Sequence, residues 1–152
     1  LGIETEIPIL TPYEWNAFYQ FCVKQRIIGL GFNLVEKTEK EKIPPKKMVL
    51  KWFSIVHQIE CQNNIVNQRC LELQFFFSQE GYKTCILKGQ GNASLYDTPL
   101  RRQSGDIDIW LNGNTSQILS LLKKRLIKIP LYYQVGRLII NIDVIQEEDI
   151  SL

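Results

Sequence analysis

"ILKGQGNASLYDTPLRRQSGDIDIWL", residues 86–111, is the stretch whose reading decides the fold. An apolar β-type run breaks at Gly89 and Gly91, and a later apolar run holds Asp106 and Asp108 one residue apart. Successive side chains of a strand point to opposite faces, so "GDIDIWL" sets Asp106 and Asp108 on one surface and Ile107 and Ile109 on the other. Two like charges held that close cost free energy unless a cation or a proton compensates.

A third acid, Asp143, stands alone among apolar neighbours in "RLIINIDVI", residues 137–145. If that strand lies beside the first, Asp106, Asp108 and Asp143 converge as a hard-oxygen set suited to Mg2+ (or Mn2+). Two such ions about 3.5–4 Å apart can activate an attacking hydroxyl and stabilise leaving oxygens in phosphoryl or nucleotidyl transfer. The plain alternative is a D-x-D that faces water from an edge strand. The order of glycine turn, basic loop, double acid and later strand acid favours the site.

Two other phosphate chemistries fit the stretch worse. A phosphate loop requires G-x-x-x-x-G-K-[ST], and Lys88 precedes the glycines instead of following them. A dinucleotide fingerprint has Gly89 and Gly91 after a strand but Ser94 where its third glycine belongs.

Outward from this stretch the chain changes texture at Gly81. Before it the pattern is helical. "TPYEW", residues 11–15, predicts a helix start, with Thr11 as cap, Pro12 in the first turn and Glu14 closing a capping box. That helix should run to about Ile28, where Gly29 and Gly31 end it. "EKTEKEKIPPKK", 36–47, reads as a solvated connection closed by Pro44 and Pro45. From Lys46 to Gln79 apolar residues recur at helical spacing, which predicts one long helix or two collinear ones, stopped by Gly81. After it come a short strand in 83–88, a helical turn or two in "NASLY", a loop, the "DIDIWL" strand and a helix over 116–125. An irregular strand, "LIKIPLYYQV", and the strong strand 137–145 complete the order.

With 152 residues, 45% of them hydrophobic and 22% charged, the chain can bury a real core. A net charge of +2 and a pI near 8.4 give no global basic field, so nucleic acid is not an expected partner. No apolar run reaches the roughly 18 residues of a membrane span. Cys22, Cys61, Cys70 and Cys85 form no C-x-x-C pair, and a single histidine accompanies them. They read as reduced, mostly buried thiols of a cytoplasmic protein rather than a zinc site. The chain begins on Leu1 rather than Met, as a trimmed chain or a fragment would.

The same stretch, "LKGQGNASLYDTPLRRQSGDIDIWL", closely resembles the signature of a bacterial family known as uncharacterised nucleotidyltransferases: L-K-G, then L-Y, then P, then R, then G-D-I-D. The family belongs to the polymerase-β-like nucleotidyltransferase superfamily, and the resemblance reaches upstream to a helical region with a W and "GLGF". It implies a small mixed sheet with flanking helices and metal-dependent transfer of a nucleoside monophosphate from an NTP such as ATP. It implies Asp106 and Asp108 as metal ligands and catalytic groups. Lys88, Gly89 and Gly91 match the K-G turn, where backbone N–H groups through Asn92 and Ser94 would meet the triphosphate. Arg102, or its neighbour Arg101, matches the arginine before G-D-I-D and would pair with phosphate. The family's third acid often lies in a V-E-x-H-like strand, whereas this strand reads "NIDVIQ" with no histidine. Relatives also continue further beyond the third acid, so a truncated, partner-completed or inactive member is a second expectation.

The remaining residues read as structure. His57 is a surface or structural histidine; Trp15, Trp52 and Phe75–Phe77 are core; the lysines from 37 to 51 are a solvated face; Trp110 has no assigned role; Tyr96 either packs under a nucleotide or supports the turn. The expectation is thus an α+β chain, with a helical N-terminal segment over 1–80 and a nucleotidyltransferase-fold core over 81–152. Its expected reaction transfers a nucleoside monophosphate from an NTP to a hydroxyl or amine of an unidentified small-molecule or protein acceptor. The reading from a different class is a catalytically silent binding domain that retains the fold.

Overall fold

The computed structural model describes residues 8–103 and 105–125 and the backbone of 139–145; the strand expected in 126–135 lies outside them. The chain divides into two compact units. One holds Leu1–Asn63 and Asp97–Gln103; the other holds Asn64–Tyr96 and Ser104–Leu152.

The first unit is helical. Helix α1, Pro12–Lys24, starts with the expected capping box: the Thr11 N–H donates to Glu14 Oε2 at 2.7 Å, and the Glu14 N–H donates back to Thr11 Oγ1 at 3.3 Å. These bonds occupy backbone donors that a helix start leaves open, and they draw the Glu14 carboxyl below its ordinary pKa. The helix ends earlier than its glycines suggest. The chain turns at Arg26, whose φ is 55°, and α2, Ile28–Lys37, carries both Gly29 and Gly31 inside it. Their reason is close packing: a Cβ on Gly29 would overlap the Arg101 carbonyl oxygen, and one on Gly31 would sit 2.5 Å from Cys22 Sγ. Helix α3, Lys46–Gln79, begins directly after Pro45, and its first part closes a core of Trp15, Tyr19, Cys22, Ile28, Phe32, Val35, Trp52 and Val56. Both core tryptophans have a partner for the indole N–H, Trp15 at Lys42 O (3.2 Å) and Trp52 at Ile28 O (2.8 Å).

The second unit is α+β. Strand β1, Thr84–Leu87, follows Gly81, whose φ of 85° turns the chain out of α3 as expected. The short helix α4, Lys88–Ala93, then occupies the place of the expected glycine turn. Strand β2, Asp106–Asn112, helix α5, Thr115–Arg125, and strand β3, Ile139–Ile145, complete the order. The sheet is mixed and runs β1–β2–β3, with β1 antiparallel and β3 parallel to the central β2. Strand β2 lays Ile107, Ile109 and Leu111 against Val66, Cys70, Leu73 and Phe77 of α3 and Ile118 and Leu122 of α5. Each such aliphatic side chain contributes on the order of 1.5–3 kcal/mol when fully buried. This dry face fixes the register, because a one-residue slip of β2 would bring its aspartates into the core.

Two expectations about burial change. Phe77 is fully buried, Phe76 is half-buried and Phe75 points outward, since consecutive helical residues lie about 100° apart. All four cysteines are free as expected, but only Cys22 and Cys70 are buried, while Cys61 and Cys85 are exposed. Burial pushes both buried thiols above their ordinary pKa, Cys70 to about 11. No described helix is long and apolar enough to cross a membrane.

Candidate active site

Antiparallel pairing sets Leu87, the last residue of β1, opposite Asp108 of β2. The next residue, Lys88, therefore leaves the sheet beside that acid, and its ammonium lies 3.8 Å from Asp108 Oδ1. Asp108 is 5% exposed although it lies opposite the dry face; the Lys88 side chain is 71% exposed. The separation exceeds a hydrogen bond, so this is a long ion pair with an exposed cationic half. Lys88 also has a φ of 41°, in the left-handed region that a side chain rarely adopts. Strain of that kind recurs at functional sites.

Helix α4 turns back over the end of β1. A Cβ on Gly91 would sit 2.5 Å from the Ile86 carbonyl oxygen, so only glycine permits that approach. Gly89 is buried, the Ser94 hydroxyl donates to Gly91 O at 2.9 Å, and the Gln90 amide donates to Asn67 Oδ1 at 2.5 Å. Asn67 and Gln90 are marked in the sequence only by their place on the long helix and in the K-G stretch.

Along β2, Asp106, Asp108 and Trp110 share one row, two residues apart. The parallel pairing of β3 continues it: the Cα partner of Asp106 is Ile139, of Asp108 Asn141, and of Trp110 Asp143. The strand with the third acid thus lies beside the strand with the first two. Among the described residues no three metal-ligating side chains gather. The two described carboxylates are hard oxygen donors of the kind a divalent cation takes, which the chemistry of Mg2+ or Mn2+ fits. Trp110, which has no assigned role in the sequence, buries its indole N–H with no hydrogen-bond partner among the described residues, unlike Trp15 and Trp52.

The two arginines of the motif belong to the other compact unit. Arg101 donates from Nε to Glu60 Oε1 at 2.8 Å, from Nη1 to Asn33 Oδ1 at 2.6 Å and from Nη2 to Glu36 Oε1 at 2.9 Å, with its guanidinium 5.8 Å from the Phe32 ring centroid. Hydrogen bonding to Glu36 holds its pKa above the ordinary guanidinium value, against the pull of burial and with help from Glu60. Asn63, 2% exposed, donates to the carbonyls of Leu100 (2.6 Å) and Arg102 (2.7 Å), and Asn33 donates to Thr98 Oγ1 at 2.8 Å. Segment 97–103 is thereby clamped to α2 and to the first part of α3. Glu36, Glu60, Asn33 and Asn63 were not legible as its partners, because each lies far from it in sequence. Glu36 in particular reads as the start of a solvated charge run.

His57 is exposed, as expected of a histidine outside the site. Tyr96 is 41% exposed at the end of the turn after α4, and its N–H donates to Ala93 O.

No curated protein and no solved structure matches the chain. One family does, described as uncharacterised nucleotidyltransferase, over residues 11–125, which is more than half of the chain and includes the glycine helix, the clamped arginine segment and the acid row. A mixed sheet with flanking helices, a strand-to-glycine turn carrying Lys88 and a G-D-I-D strand agree with that match. The chain belongs to the uncharacterised nucleotidyltransferase family and has its α+β nucleotidyltransferase fold.

Proposed function

We propose that this chain transfers a nucleoside monophosphate from an NTP to a hydroxyl or amine of a small-molecule or protein acceptor, with Asp106, Asp108 and Asp143 as the acidic set. The observation that carries this reading is the pairing of β3 along β2, which brings the strand of Asp143 beside the row of Asp106 and Asp108. In this reading the three carboxylates hold Mg2+ or Mn2+, which supplies charge neutralisation at the reacting phosphate. Lys88 leaves Asp108 for the phosphates of the incoming nucleotide, a move its exposure and long ion pair leave open. Gly89, Gly91, Asn92 and Ser94 give the triphosphate a close backbone approach, with Gly91 keeping α4 against β1. The acceptor oxygen or nitrogen forms the new bond to the α-phosphorus, the bond to the β-phosphate oxygen breaks, and pyrophosphate leaves. The acceptor's proton passes to a carboxylate of the acidic row.

Calorimetry with ATP, GTP, CTP and UTP tests this on the unmodified chain. At least one nucleotide should bind, and its affinity should depend on Mg2+. Folded protein that releases no heat with any of the four in excess Mg2+ would leave the silent binding domain as the better reading.

A further inference from the structure

The outer side of the first part of α3 carries a second chemistry, unrelated to the acid row. Leu50, Phe53, His57 and Cys61 follow one another at intervals of three and four residues, which places them on one stripe of the helix. All four are exposed, Leu50 at 59% and Phe53 at 54%. The His57 ring lies nearly parallel to that of Phe53, 9° apart in plane with centroids 6.4 Å apart. His57 Nε2 stands 3.7 Å from Cys61 Sγ.

That separation is a sulfur hydrogen-bond contact between helical neighbours, and it also matches the spacing of two ligands on one ion. Zinc bonds of about 2.3 Å to sulfur and about 2.0–2.1 Å to nitrogen, opened to a tetrahedral angle, put the two ligand atoms about 3.6 Å apart. The two side chains already stand at the bite of one tetrahedral ion. They supply an imidazole and a thiolate, the donors that zinc prefers to oxygen ligands. Two ligands are half of a closed site, and among the described residues no third His, Cys, Asp or Glu joins them. His57 is the one histidine of these 152 residues, so a Cys2His2 set here would take its second imidazole from another copy.

We infer that His57 and Cys61 form half of a zinc site that joins two copies of this chain along α3. A two-fold pair supplies two imidazoles and two thiolates, the Cys2His2 set of a structural site, from one patch meeting itself. Two thiolates neutralise the ion. Each thiol gives its proton to solvent as the Zn–S bond forms, and no electron is transferred. Leu50 and Phe53 lie on the same stripe and lose water when the helices meet, which explains apolar side chains on an otherwise polar face. A lone histidine reads as too few ligands for zinc in a single chain; in a symmetric pair the count doubles.

The test uses the full chain under a non-thiol reductant with Co2+ as the probe. Thiolate-to-cobalt charge-transfer absorption should saturate at one ion per two chains, the sedimenting mass should double, and Zn2+ should bleach the absorption while keeping the dimer. Cys61→Ser and His57→Gln should each abolish both the band and the dimer, and neither exposed side chain is needed for folding. Cys85→Ser, which removes the other exposed thiol, should leave both intact. A band that survives Cys61→Ser, saturation at one ion per chain without a change of mass, or no band at all would each overturn the inference.

Discussion

Two cations from one stretch of sequence have opposite settings. The Arg101 side chain is 14% exposed, and its three nitrogens are held by Glu36, Glu60 and Asn33. The Lys88 side chain is 71% exposed and reaches Asp108 only at 3.8 Å, from a backbone with positive φ. Both lie in the motif, and from sequence both are basic residues near a phosphate chemistry. Their surroundings separate them. A guanidinium whose donors are spent on fixed acceptors positions the chain, whereas a loosely paired ammonium beside an acid row can change partners.

The largest effect that could break this comparison lies in the acid row itself. Asp108→Asn is nearly isosteric, so the fold should persist while metal binding fails. Loss of even an outer partner costs a metal site roughly 10–100-fold, and a direct ligand should cost transfer at least that much. In thermal melts without metal the variant should equal or exceed wild type, because one of two like charges is gone. With Mg2+ the order should reverse, since only wild type gains binding stabilisation. Identical melts in both conditions would make Asp108 a buried structural acid and Lys88 merely its partner.

Arg101→Met keeps the side chain's length over Phe32 and removes the guanidinium's bonds to Glu36, Glu60 and Asn33, leaving those of Asn63 and of Asn33 with Thr98. Exposed pairs contribute up to about 1 kcal/mol and loss of one partner of a buried pair costs about 3–5, so this partly buried network should lose about 2–3 kcal/mol. That corresponds to a fall in Tm of roughly 4–12 °C at this chain length. Nucleotide affinity of the folded variant should not change. An unchanged Tm with a tenfold loss of affinity would instead make Arg101 a phosphate ligand and erase the contrast with Lys88.

Alkaline pH probes the dry side of the strand whose other side carries the acids. Cys70 packs among Ile107, Ile109 and Leu111, and its folded pKa of about 11 lies above the ordinary value of 9.0. A raised thiol pKa means stability is fully present below pH 9 and is lost as pH rises toward 11, because the unfolded chain releases its proton first. By pH 10 the loss is on the order of 1 kcal/mol, since one pKa unit of linkage is roughly that much. Urea midpoints at pH 8 and pH 10 should therefore fall further for wild type than for Cys70→Ala. Equal falls would mean that water reaches the thiol and that the back of β2 is not dry.

What the sequence disclosed follows the range of the interactions. The capping box of α1, the span of α3 from Lys46 to Gln79, the turn at Gly81 and the row of Asp106 and Asp108 depend on neighbours within a few residues, and all were legible. Gly29 and Gly31 were misread as a helix end because their reason lies in Arg101 and Cys22, which only the fold brings to them. Phe75 was misread because a helix cannot bury three consecutive residues in one direction. The shared row of Asp106 and Asp108 was legible by alternation, while the clamp around Arg101 was hidden in residues that look like ordinary surface.

The smallest effect is also the sharpest, and it concerns Lys88→Gly. Glycine adopts a φ of 41° without the roughly 1–2 kcal/mol that an L side chain incurs there. The ion pair it removes is mostly exposed, so its loss should cost no more than about 1 kcal/mol. The greater backbone freedom that glycine gives the unfolded chain opposes the gain. Stability should therefore move by less than about 1 kcal/mol in either direction. Nucleotide affinity should fall by about tenfold, the worth of one charge-assisted contact at roughly 1.4 kcal/mol. Lys88→Gln, which keeps the strained backbone and lacks the charge, should lose the same affinity and gain no stability. If both variants bind nucleotide as wild type does, the strain at Lys88 serves only the turn into α4, and the exposed cation of the motif is as structural as the clamped one.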